Sequence, residues 1–418
     1  MFRKLVSLDE AKRIFEDNFS PKPVGVEKVP ISQAYNRVLA EDVVASIDVP
    51  PFDRATVDGY AVRASDTFGA DEDKPIALEF CGSIPVGEPP RVVVESGTAA
   101  GIVTGAPFPQ DADAAVMIEY TSRKGDTVFI RRPVSKGENV MRAGSDIKKR
   151  ETVLGKGEVL SPRRIGVLAA VGFTEVAVYK RPKVAILSTG PEIVEPGKPL
   201  PPGKIYDINA QAIGAATLEC GGEPISLGII PDETEQLEAA LENALNLADL
   251  VVTSGGVSVG PKDIIPQVVN TLGKPGVVVS GIAIKPGKPT TIALVKEKPV
   301  FCLPGHPTSS LLVYHIIVCP TICRMAGRAK EPFVTLKAFT TTKVFPARGR
   351  RTFVMVNLSR DESRKVLASP VPLGLSGAIT TLAKAEGFVE IRENQQFINA
   401  GDEVTVYLFK PRKSDIPS

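Results

Sequence analysis

The sequence predicts a multidomain protein of the α/β plus β class, and three observations support this prediction. The chain has 418 residues, which is more than one hydrophobic core accommodates. From residue 182 onward, strand and helix patterns alternate over about 145 residues, as in a parallel sheet covered by helices on both faces. The 36 glycines and 36 prolines, with aromatic residues at only 6%, favour many turns and a core of Val, Ile and Leu. This composition fits an α/β or β-rich chain better than a helical bundle.

The first 180 residues predict a helix, a small mostly β domain and a connecting segment. Ser7 to Glu10 form a capping box in front of a short amphipathic helix, which Pro21 and Pro23 end. From about residue 50 to 140, short apolar runs between Gly, Pro and Asp turns indicate strands. The named elements are strands at 91–94, 114–118 and 174–179 and a helix at 164–171. We expect residues 151–180 to pack with the N-terminal helix as a connecting domain.

The α/β pattern begins at Pro182, where residues 183–187 form an uninterrupted apolar run typical of a buried strand. Residues 232–235 predict a helix cap at Asp232. The further expected strands are 225–230, 250–253 and 300–303, and the further helices are 209–220, 263–272 and the apolar 307–325. After Pro332 the pattern returns to strands at 333–339, 352–358, 388–392 and 404–409. These predict a small C-terminal β-barrel.

Charge and composition exclude several kinds of partner. Lys and Arg number 50 against 48 Asp and Glu, without a run of like charge, so we expect neither nucleic-acid nor membrane-surface binding. No stretch approaches the roughly 20 apolar residues of a membrane helix, so we predict a cytoplasmic protein. The cysteines lack CxxC or Cys/His metal spacing, which predicts buried thiols in a reducing compartment and no structural zinc. They are Cys81, Cys220, Cys302, Cys319 and Cys323.

Three loops follow predicted strands of the α/β region, and the ends of parallel strands form the ligand-binding edge of such sheets. Backbone amides and serine hydroxyls in the middle loop can approach an anion, so we predict a phosphate-bearing ligand. That loop is not a P-loop, because Pro-Lys-Asp at 261–263 stands where Gly-Lys-Ser/Thr is required. The loop residues are Ser188, Thr189, Gly190 and Glu192; Ser254, Gly255, Gly256 and Ser258; and Pro304, Gly305, His306 and Pro307.

Cations and isolated acids accompany these loops. Lys285 and Lys288 lie on a stiff Pro-Gly turn and are predicted to clamp a phosphate or oxyanion. Carboxylates beside phosphates usually indicate Mg²⁺, which takes oxygen ligands. For each acid a solvated surface group or a helix cap is the alternative, and Asp232 has a capping explanation without a metal. The acids are Asp58, Glu119, Asp146, Glu192, Asp232 and Asp263.

The chain contains two histidines, which excludes a multi-histidine metal site within one chain. His315 lies inside the apolar helix and is predicted to be a core residue. His306 precedes a helix-opening proline in the third loop. Contact with a ligand and capping of the helix both stay open for His306.

Ordered motifs along nearly the whole chain make this sequence similar to the MoeA family of molybdopterin molybdenumtransferases, to which the E domain of gephyrin is related. The motifs lie at 50–61, 104–107 with 111–116 and Glu119, 139–146, 188–190 with Glu192, 207–209, 254–260 with Asp263, 285–289, 303–305 with Pro307, and 376–377. The number of ordered matches makes the resemblance more specific than any single loop.

The resemblance implies an elongated protein with four domains. These are a mixed connecting domain split into 1–48 and 144–181, a β-rich domain at 49–143, a three-layer α/β/α domain at 182–330 and a β-barrel at 331–418. The resemblance also implies a homodimer whose active site lies between the α/β domain of one subunit and the β-rich domain of the other. Asp58 and Thr104 of one subunit would then meet Glu192, Asp232 and Lys288 of the other.

The implied reaction inserts molybdenum from molybdate into adenylylated molybdopterin and releases AMP, with Mg²⁺ assisting. Asp58, Glu192, Asp232 and Asp263 are then the predicted catalytic acids, and Asp232 and Asp263 the magnesium ligands. Rate would come from positioning and charge neutralisation, because no nucleophile and base pair is visible. The predicted substrate-binding residues are Thr104, Glu119, Asp146, Ser188, Thr189, Gly190, Ser254, Gly255, Gly256, Ser258, Lys285, Lys288, Pro304, Gly305, His306, Pro307 and Ser376. Further expected partners are the upstream adenylyltransferase and enzymes that accept the cofactor.

Three residues depart from the commonest family pattern, and three other functions stay open. Pro191 replaces an acidic or amide residue, Pro261 stands where an acid is frequent, and His306 replaces an asparagine. These changes bear on the choice of oxyanion, so tungstate insertion by the same mechanism is one alternative. A non-catalytic molybdopterin-binding scaffold is the second, although opposed acids and cations in one cleft argue against it. Nucleotidyl transfer onto molybdopterin is the third.

Overall fold

The structure is a computed structural model that describes residues 5–256, 264–328, 334–371 and 379–409. Two compact units divide the chain. The smaller unit comprises Lys28–Tyr35 and Glu41–Ala177, and the larger unit comprises Met1–Glu27, Asn36–Ala40 and Val178–Ser418. The four domain boundaries given above stay a prediction.

The first 180 residues contain helices α1 and α2, twelve short strands and three single turns of 3₁₀ helix. The helices are α1 Leu8–Asn18 and α2 Pro162–Ala170, and the 3₁₀ turns are Ile31–Gln33, Ala64–Thr67 and Ile118–Tyr120. The strands are β1 Val26–Pro30, β2 Val43–Val44, β3 Arg54–Ala55, β4 Gly59–Val62, β5 Ile76–Ile84, β6 Thr98–Ile102, β7 Ala114–Met117, β8 Thr121–Lys124, β9 Thr127–Ile130, β10 Val140–Met141, β11 Thr152–Leu154 and β12 Glu175–Tyr179.

A six-stranded sheet with the order β7-β4-β6-β5-β9-β8 dominates the smaller unit. It confirms the predicted mostly β character of this region. The predicted strand at 91–94 is wrong, because Val93 makes an isolated bridge to Gln110 there. Pro89 and Pro90 immediately precede this stretch, and their nitrogens cannot donate to a ladder.

Helix α1 begins as the sequence predicts and packs on the α/β sheet of the larger unit. The hydroxyl of Ser7 accepts a hydrogen bond from the Glu10 amide at 3.1 Å, which confirms the cap. The buried side chains of α1 belong to the core of that sheet, and the Phe15 ring centroid lies 5.4 Å from that of Phe301. This sheet is a neighbour that the sequence prediction did not name.

The central region of the larger unit alternates strands and helices to residue 325. Its strands are β13 Lys183–Thr189, β14 Ile193–Val194, β15 Ile205–Tyr206, β16 Glu223–Ile230, β17 Leu250–Ser254, β18 Pro275–Ser280, β19 Ile284–Lys285, β20 Thr291–Val295 and β21 Lys298–Leu303. Its helices are α3 Asn209–Glu219, α4 Thr234–Leu247, α5 Ile264–Leu272, α6 Pro307–Val313 and α7 Cys319–Met325, with a π-helical turn at Tyr314–Val318.

Six of these strands form one sheet in the order β16-β13-β17-β21-β20-β18. Strands β16, β13, β17 and β21 are parallel, as predicted, but β20 runs antiparallel to β21 and to β18. The reason is the connection between β20 and β21, where Lys296 and Glu297 both have positive φ (51° and 64°). Two such residues make the tight hairpin turn that reverses a strand. Neither is Gly, Asn or Asp, so the sequence carries no visible signal for it.

Alternate side chains of the central strands enter two separate cores, which gives the predicted three layers. Val184 and Ile186 pack with α3 and the helix at 307–325. Ala185 and Leu187 face α4 and α5 on the opposite side. This is the period-two pattern of strands that are buried on both faces.

The predicted apolar helix at 307–325 is confirmed, with one irregular turn. The π-helical turn ends at Val318, two residues before Pro320. A proline inside a helix lacks a donor and clashes with the carbonyl four residues earlier, which the wider turn relieves. By length and composition the 19-residue helix Pro307–Met325 could span a membrane, yet 67% of its most apolar 18-residue stretch is buried inside the protein. It is therefore a core helix.

The C-terminal region forms a closed five-stranded barrel, as predicted. Its strands are β22 Thr335–Thr340, β23 Arg351–Arg360, β24 Val366–Pro370, β25 Gly387–Ile391 and β26 Glu403–Leu408, with helix α8 at Ile379–Lys384. The order β23-β24-β22-β26-β25 closes because β25 also pairs with β23. Closure removes the free edges that a small sheet would otherwise expose.

The cysteines differ from the prediction of buried thiols throughout. Cys220 and Cys319 form a disulfide, 99 residues apart in sequence. Cys302 is buried as expected, and Cys81 and Cys323 are half-buried. Cys220 follows α3 and Cys319 begins α7, and both helices cover the same face of the sheet. Spacing along the chain cannot reveal a proximity that arises from this packing.

Candidate functional site

The three predicted loops of the α/β region lie at one edge of the sheet. Ser188, near the end of β13, is in register with Ser254 at the end of β17. Ser254 is in register with Leu303 at the end of β21. The loops that follow these strands therefore begin side by side, where open α/β sheets bind their ligands.

The turn that carries Lys285 and Lys288 enters the same edge because β20 is reversed. Thr291, the first residue of β20, pairs with Cys302, so the residues before it lie beside the end of β21. The buried Thr290 fixes this turn: its hydroxyl donates to the Gly287 carbonyl at 2.7 Å. Lys285 is exposed and Lys288 is half-buried, so both ammonium groups can reach a ligand.

Asn209 ties two of the loops together, and sequence reasoning did not name it as a site residue. Its side-chain amide donates to the Ser254 hydroxyl and to the Gly305 carbonyl, each at 2.7 Å. Asn209 is the first residue of α3 and is 8% exposed. The carboxylate of Asp207, also buried, accepts from the Ala210 amide at 3.1 Å and holds the start of the helix. The signal in the sequence is a pair of polar residues, Asp-Ile-Asn, just where an apolar helix begins.

Gly255 and Gly256 allow the backbones of two loops to touch. A Cβ on Gly255 would lie 2.1 Å from the Thr189 carbonyl oxygen, and one on Gly256 would lie 2.6 Å from the Ile265 side chain. Both glycines have positive φ (95° and 63°). The Gly255 amide donates to the Leu303 carbonyl at 3.2 Å. This amide is therefore engaged inside the protein. The anion-binding role expected of the middle loop stays a prediction, because residues 257–260 lie outside the described residues.

Two carboxylates approach the turn at Thr189 and Gly190. The carboxylate of Asp232 accepts a hydrogen bond from the Thr189 hydroxyl. Glu192 folds back over Gly190, where a Cβ would lie 2.8 Å from its carboxylate oxygen. Both acids are exposed.

The predicted capping role of Asp232 is wrong. Glu233 occupies the N-cap position of α4, and its side chain makes no capping bond within the part of the chain that the structure describes. The side chain of Asp232 is committed to Thr189 on the neighbouring strand, a tertiary contact that the local sequence pattern cannot show.

In the smaller unit, Asp58, Thr104 and Glu119 converge at one edge of the six-stranded sheet. Gly59, at the start of β4, pairs with Ile102 of β6 and with Met117 of β7, so the residues beyond these positions lie together. The Asp58 carboxylate accepts from the Thr104 amide at 2.7 Å and from its hydroxyl at 2.9 Å. These hydrogen bonds, the amide's first, lower the pKa of Asp58 below its ordinary value. The carboxylate is exposed and ionised at neutral pH.

The remaining predicted residues have simpler positions. Asp146 lies exposed in a turn, and its own backbone amide donates to the Val49 carbonyl at 3.1 Å. No hydrogen bond joins Asp146 to Asp58, Thr104 or Glu119 within the described parts of the chain. His306 occupies the N-cap of α6, and its side chain makes no capping bond to any described residue; Pro307 follows it and Pro304 lies two residues before it. Ser258, Asp263 and Ser376, with the variant position Pro261, lie outside the described residues.

The donor set at the α/β edge suits a hard cation. Glu192 and Asp232 offer carboxylate oxygens at the same turn, and Thr189 orients Asp232. Mg²⁺ is usually held by one or two carboxylates together with water and substrate phosphates. The arrangement therefore fits a magnesium site that is completed by a phosphorylated ligand.

Comparison with known proteins covers almost the entire chain. Residues 6–172 match the family described as "MoeA N-terminal region (domain I and II)". Residues 185–324 match a "probable molybdopterin binding domain", and residues 337–409 match the "MoeA C-terminal region (domain IV)". Along the chain, the three matches cover in turn the β-rich N-terminal region, the α/β region and the C-terminal barrel.

Relatives of full length carry a common description. The chain is 34% identical over 409 residues to a molybdopterin molybdenumtransferase from Haemophilus influenzae, covering 97% of this chain and 99% of the relative. It is also 34% identical over 384 residues to molybdopterin molybdenumtransferase 2 from Mycobacterium tuberculosis, covering 91% and 94%. A crystal structure of a molybdopterin biosynthesis MoeA protein from Pyrococcus horikoshii is 45% identical, with a TM-score of 0.83, over 98% of this chain and 100% of that one.

Proposed function

The chain belongs to the MoeA family, and from that premise we propose that it inserts molybdenum from molybdate into adenylylated molybdopterin and releases AMP. It is a transferase of molybdenum cofactor biosynthesis. The adenylylated form of the substrate, the release of AMP and the assistance of Mg²⁺ are the parts that we propose.

One observation carries this proposal. Four segments of the α/β region, the three loops and the lysine turn, meet at a single sheet edge. Asn209 and Gly255 hold the loops against one another, so the edge is preformed. This region lies inside the match to the molybdopterin-binding domain. An edge with two cations and two carboxylates suits a ligand that carries both phosphate and an oxyanion.

The residues of this edge would act by positioning and by charge. Lys285 and Lys288 would hold the phosphates and the incoming oxyanion, and the loops around Ser188, Ser254 and Gly305 would hold the pterin and ribose parts of the ligand. Ammonium groups fixed beside a transferring phosphate stabilise the charge that develops during cleavage. Asp58, held by Thr104 in its ionised form, would orient the water or the oxyanion.

We propose Mg²⁺ as the assisting ion at Glu192 and Asp232, with Asp263 as a further ligand. When bound, it would neutralise phosphate charge. Ser258, Asp263 and Ser376 stay predictions that rest on the family motifs.

We further propose that the protein works as a cytoplasmic homodimer. The family resemblance supports the dimer, and it implies that each site takes Asp58 from one subunit and Asp232 from the other. The upstream adenylyltransferase and the enzymes that accept the cofactor are the proposed further partners.

Mixing two inactive variants tests this arrangement. Asp58→Asn and Asp232→Asn homodimers would each be inactive, whereas subunit exchange would produce heterodimers with one intact site. The expected result is recovery of about one quarter of the wild-type activity after equimolar exchange, by statistical pairing. Absence of recovery, with exchange verified by mass spectrometry, would exclude a site shared in this way.

The Asp58→Asn variant alone tests the catalytic proposal. Amide replacement keeps the shape and removes the charge, so AMP release should fall while the fold and the oligomeric state stay unchanged. Asp361→Asn is the matched control, because Asp361 is likewise an acid whose pKa is lowered by hydrogen bonds, the one from the Ser363 hydroxyl first. Equal activity of both variants would show that Asp58 has no part in the reaction.

A non-catalytic molybdopterin-binding scaffold is the second candidate function. Insertion of tungsten from tungstate, by the same mechanism, is a variant of the proposed molybdenum insertion. A scaffold would bind the precursor tightly and release no AMP with any oxyanion. Tungstate would support turnover in place of molybdate, since the two oxyanions share charge and nearly the same shape. AMP assays with each oxyanion separate the three outcomes.

A further inference from the structure

Three cysteines cluster where α3 meets α7, outside the proposed substrate site. Cys220 caps the C-terminus of α3, and Cys319 and Cys323 lie on α7. Their sulfur atoms all lie within 4.8 Å of one another. Cys220 and Cys319 are joined by the disulfide, and the Cys323 sulfur is 3.9 Å from that of Cys319.

The cluster is built by contacts other than the disulfide. Residues 319 and 323 are four apart and therefore face the same side of α7. The hydroxyls of Thr217 and Tyr314 share a buried hydrogen bond of 2.7 Å, which fixes α3 against the helix at 307–325. The Cys323 thiol donates to the Cys220 carbonyl at 3.6 Å. The three sulfurs thus stay neighbours when the disulfide is reduced.

We propose that the reduced protein binds one thiophilic divalent cation of the zinc type through Cys220, Cys319 and Cys323. Zinc–thiolate bonds of about 2.3 Å at tetrahedral angles place two ligand sulfurs about 3.8 Å apart. The 3.9 Å between Cys319 and Cys323 already matches this spacing, and the Cys220 and Cys319 sulfurs move apart to it once their disulfide is reduced. Cys319 and Cys323 are half-buried, so water can occupy a fourth position.

A cation lies beside the residue that follows Cys220: a Cβ on Gly221 would lie 3.0 Å from the Nε of Arg328. Arg328 donates to the Glu219 carbonyl at 3.3 Å, one residue before Cys220. Its Nε is buried and has no hydrogen-bond partner within the described residues. This guanidinium would balance the net negative charge of a divalent ion bound by three thiolates.

Reduction of the disulfide must precede binding. A dithiol reductant transfers two electrons and two protons to the Cys220–Cys319 bond, becomes a disulfide itself and leaves two thiols. Up to three protons then leave the cluster for solvent as the ion binds. The disulfide is therefore the ion-free, oxidised state of the same site.

Cadmium titration of the full-length protein tests the proposal directly and independently of the proposed function. The protein is reduced with a phosphine, which takes oxygen from water to become the phosphine oxide, and is then freed of metal and titrated with Cd²⁺ alone. The expected result is a thiolate-to-cadmium absorption band that saturates at one equivalent, and no such band in the oxidised protein. A reduced protein without the band, or an oxidised protein that binds equally, would overturn the proposal.

Single substitutions identify the ligands. Cys323→Ser should weaken binding about 100-fold or more, because it removes one thiolate without touching the pair that forms the disulfide. Cys220→Ser and Cys319→Ser should weaken it similarly, whereas Cys81→Ser, a thiol outside the cluster, should bind like the wild type. Cys323 is half-buried, so this variant decides the matter even if Cys220→Ser fails to fold. Wild-type affinity in Cys323→Ser would refute a three-cysteine site.

Discussion

Substitution of Gly255 by Ala should abolish most activity without unfolding the protein. The new Cβ would lie 2.1 Å from the Thr189 carbonyl oxygen, whereas real Cβ atoms stay beyond 3.0 Å, so the two loops must separate by about 0.9 Å. A displacement of about 1 Å in a positioned site costs on the order of 100-fold in rate. We therefore expect kcat and kcat/KM for AMP release from the precursor to fall about 100-fold.

Gly197→Ala is the matched control for this experiment. Gly197 also has positive φ (89°), but a Cβ there meets no atom of the described residues within 4 Å. Both variants carry the backbone cost of about 1–2 kcal/mol for a left-handed residue with a side chain, and only Gly255→Ala carries the clash. Gly197→Ala should keep wild-type turnover. Activity of Gly255→Ala within twofold of this control would refute the claim that close packing of the loops shapes the site.

Three further predictions concern the site and the fold. Asn209→Ala removes two hydrogen bonds and leaves the Gly305 carbonyl and Ser254 hydroxyl unsatisfied, so local stability should fall by about 2 kcal/mol, seen as faster amide exchange in both loops. Arg351→Met removes the mostly buried cation (11% exposed) that pairs with Asp9 of α1 and with Glu390 and Glu393 of the C-terminal region. It should destabilise the protein by about 3 kcal/mol in urea unfolding, far more than a surface lysine substitution. Burial lowers the pKa of His315 from 6.5 to about 4, so the unfolded chain takes up a proton at higher pH than the folded protein does. The free energy of unfolding should therefore decline as the pH falls from 6.5 to 4. A free energy of unfolding that does not change with pH in the wild type, or the same pH dependence in His315→Phe, would contradict this.

The parts of the site that follow from sheet topology could be predicted from the sequence. Buried apolar runs at 183–187, 250–253 and 300–303 indicate parallel strands, and parallel strands deliver the loops after them to one edge. The register of Ser188, Ser254 and Leu303 bears this out. The helix cap at Ser7 is equally local and equally correct.

The parts that depend on contacts between distant elements could not be predicted. Asp232 has an ordinary capping pattern, but its carboxylate bonds to Thr189 on another strand. The turn at Lys296 and Glu297 lacks the residues that usually adopt positive φ, so the sequence does not indicate that β20 runs antiparallel to its neighbours. The disulfide of Cys220 and Cys319 likewise arises from helix packing, which residue spacing does not encode.

The most direct test of the proposed reaction is AMP release from adenylylated molybdopterin by the purified protein with Mg²⁺. Molybdate, tungstate or no oxyanion is supplied in parallel, and formation of the metal-containing cofactor is followed in the same samples. The predicted result is AMP release that depends on molybdate and equals the cofactor formed. No release with any oxyanion, despite tight binding of the precursor, would contradict the proposed reaction and favour a scaffold.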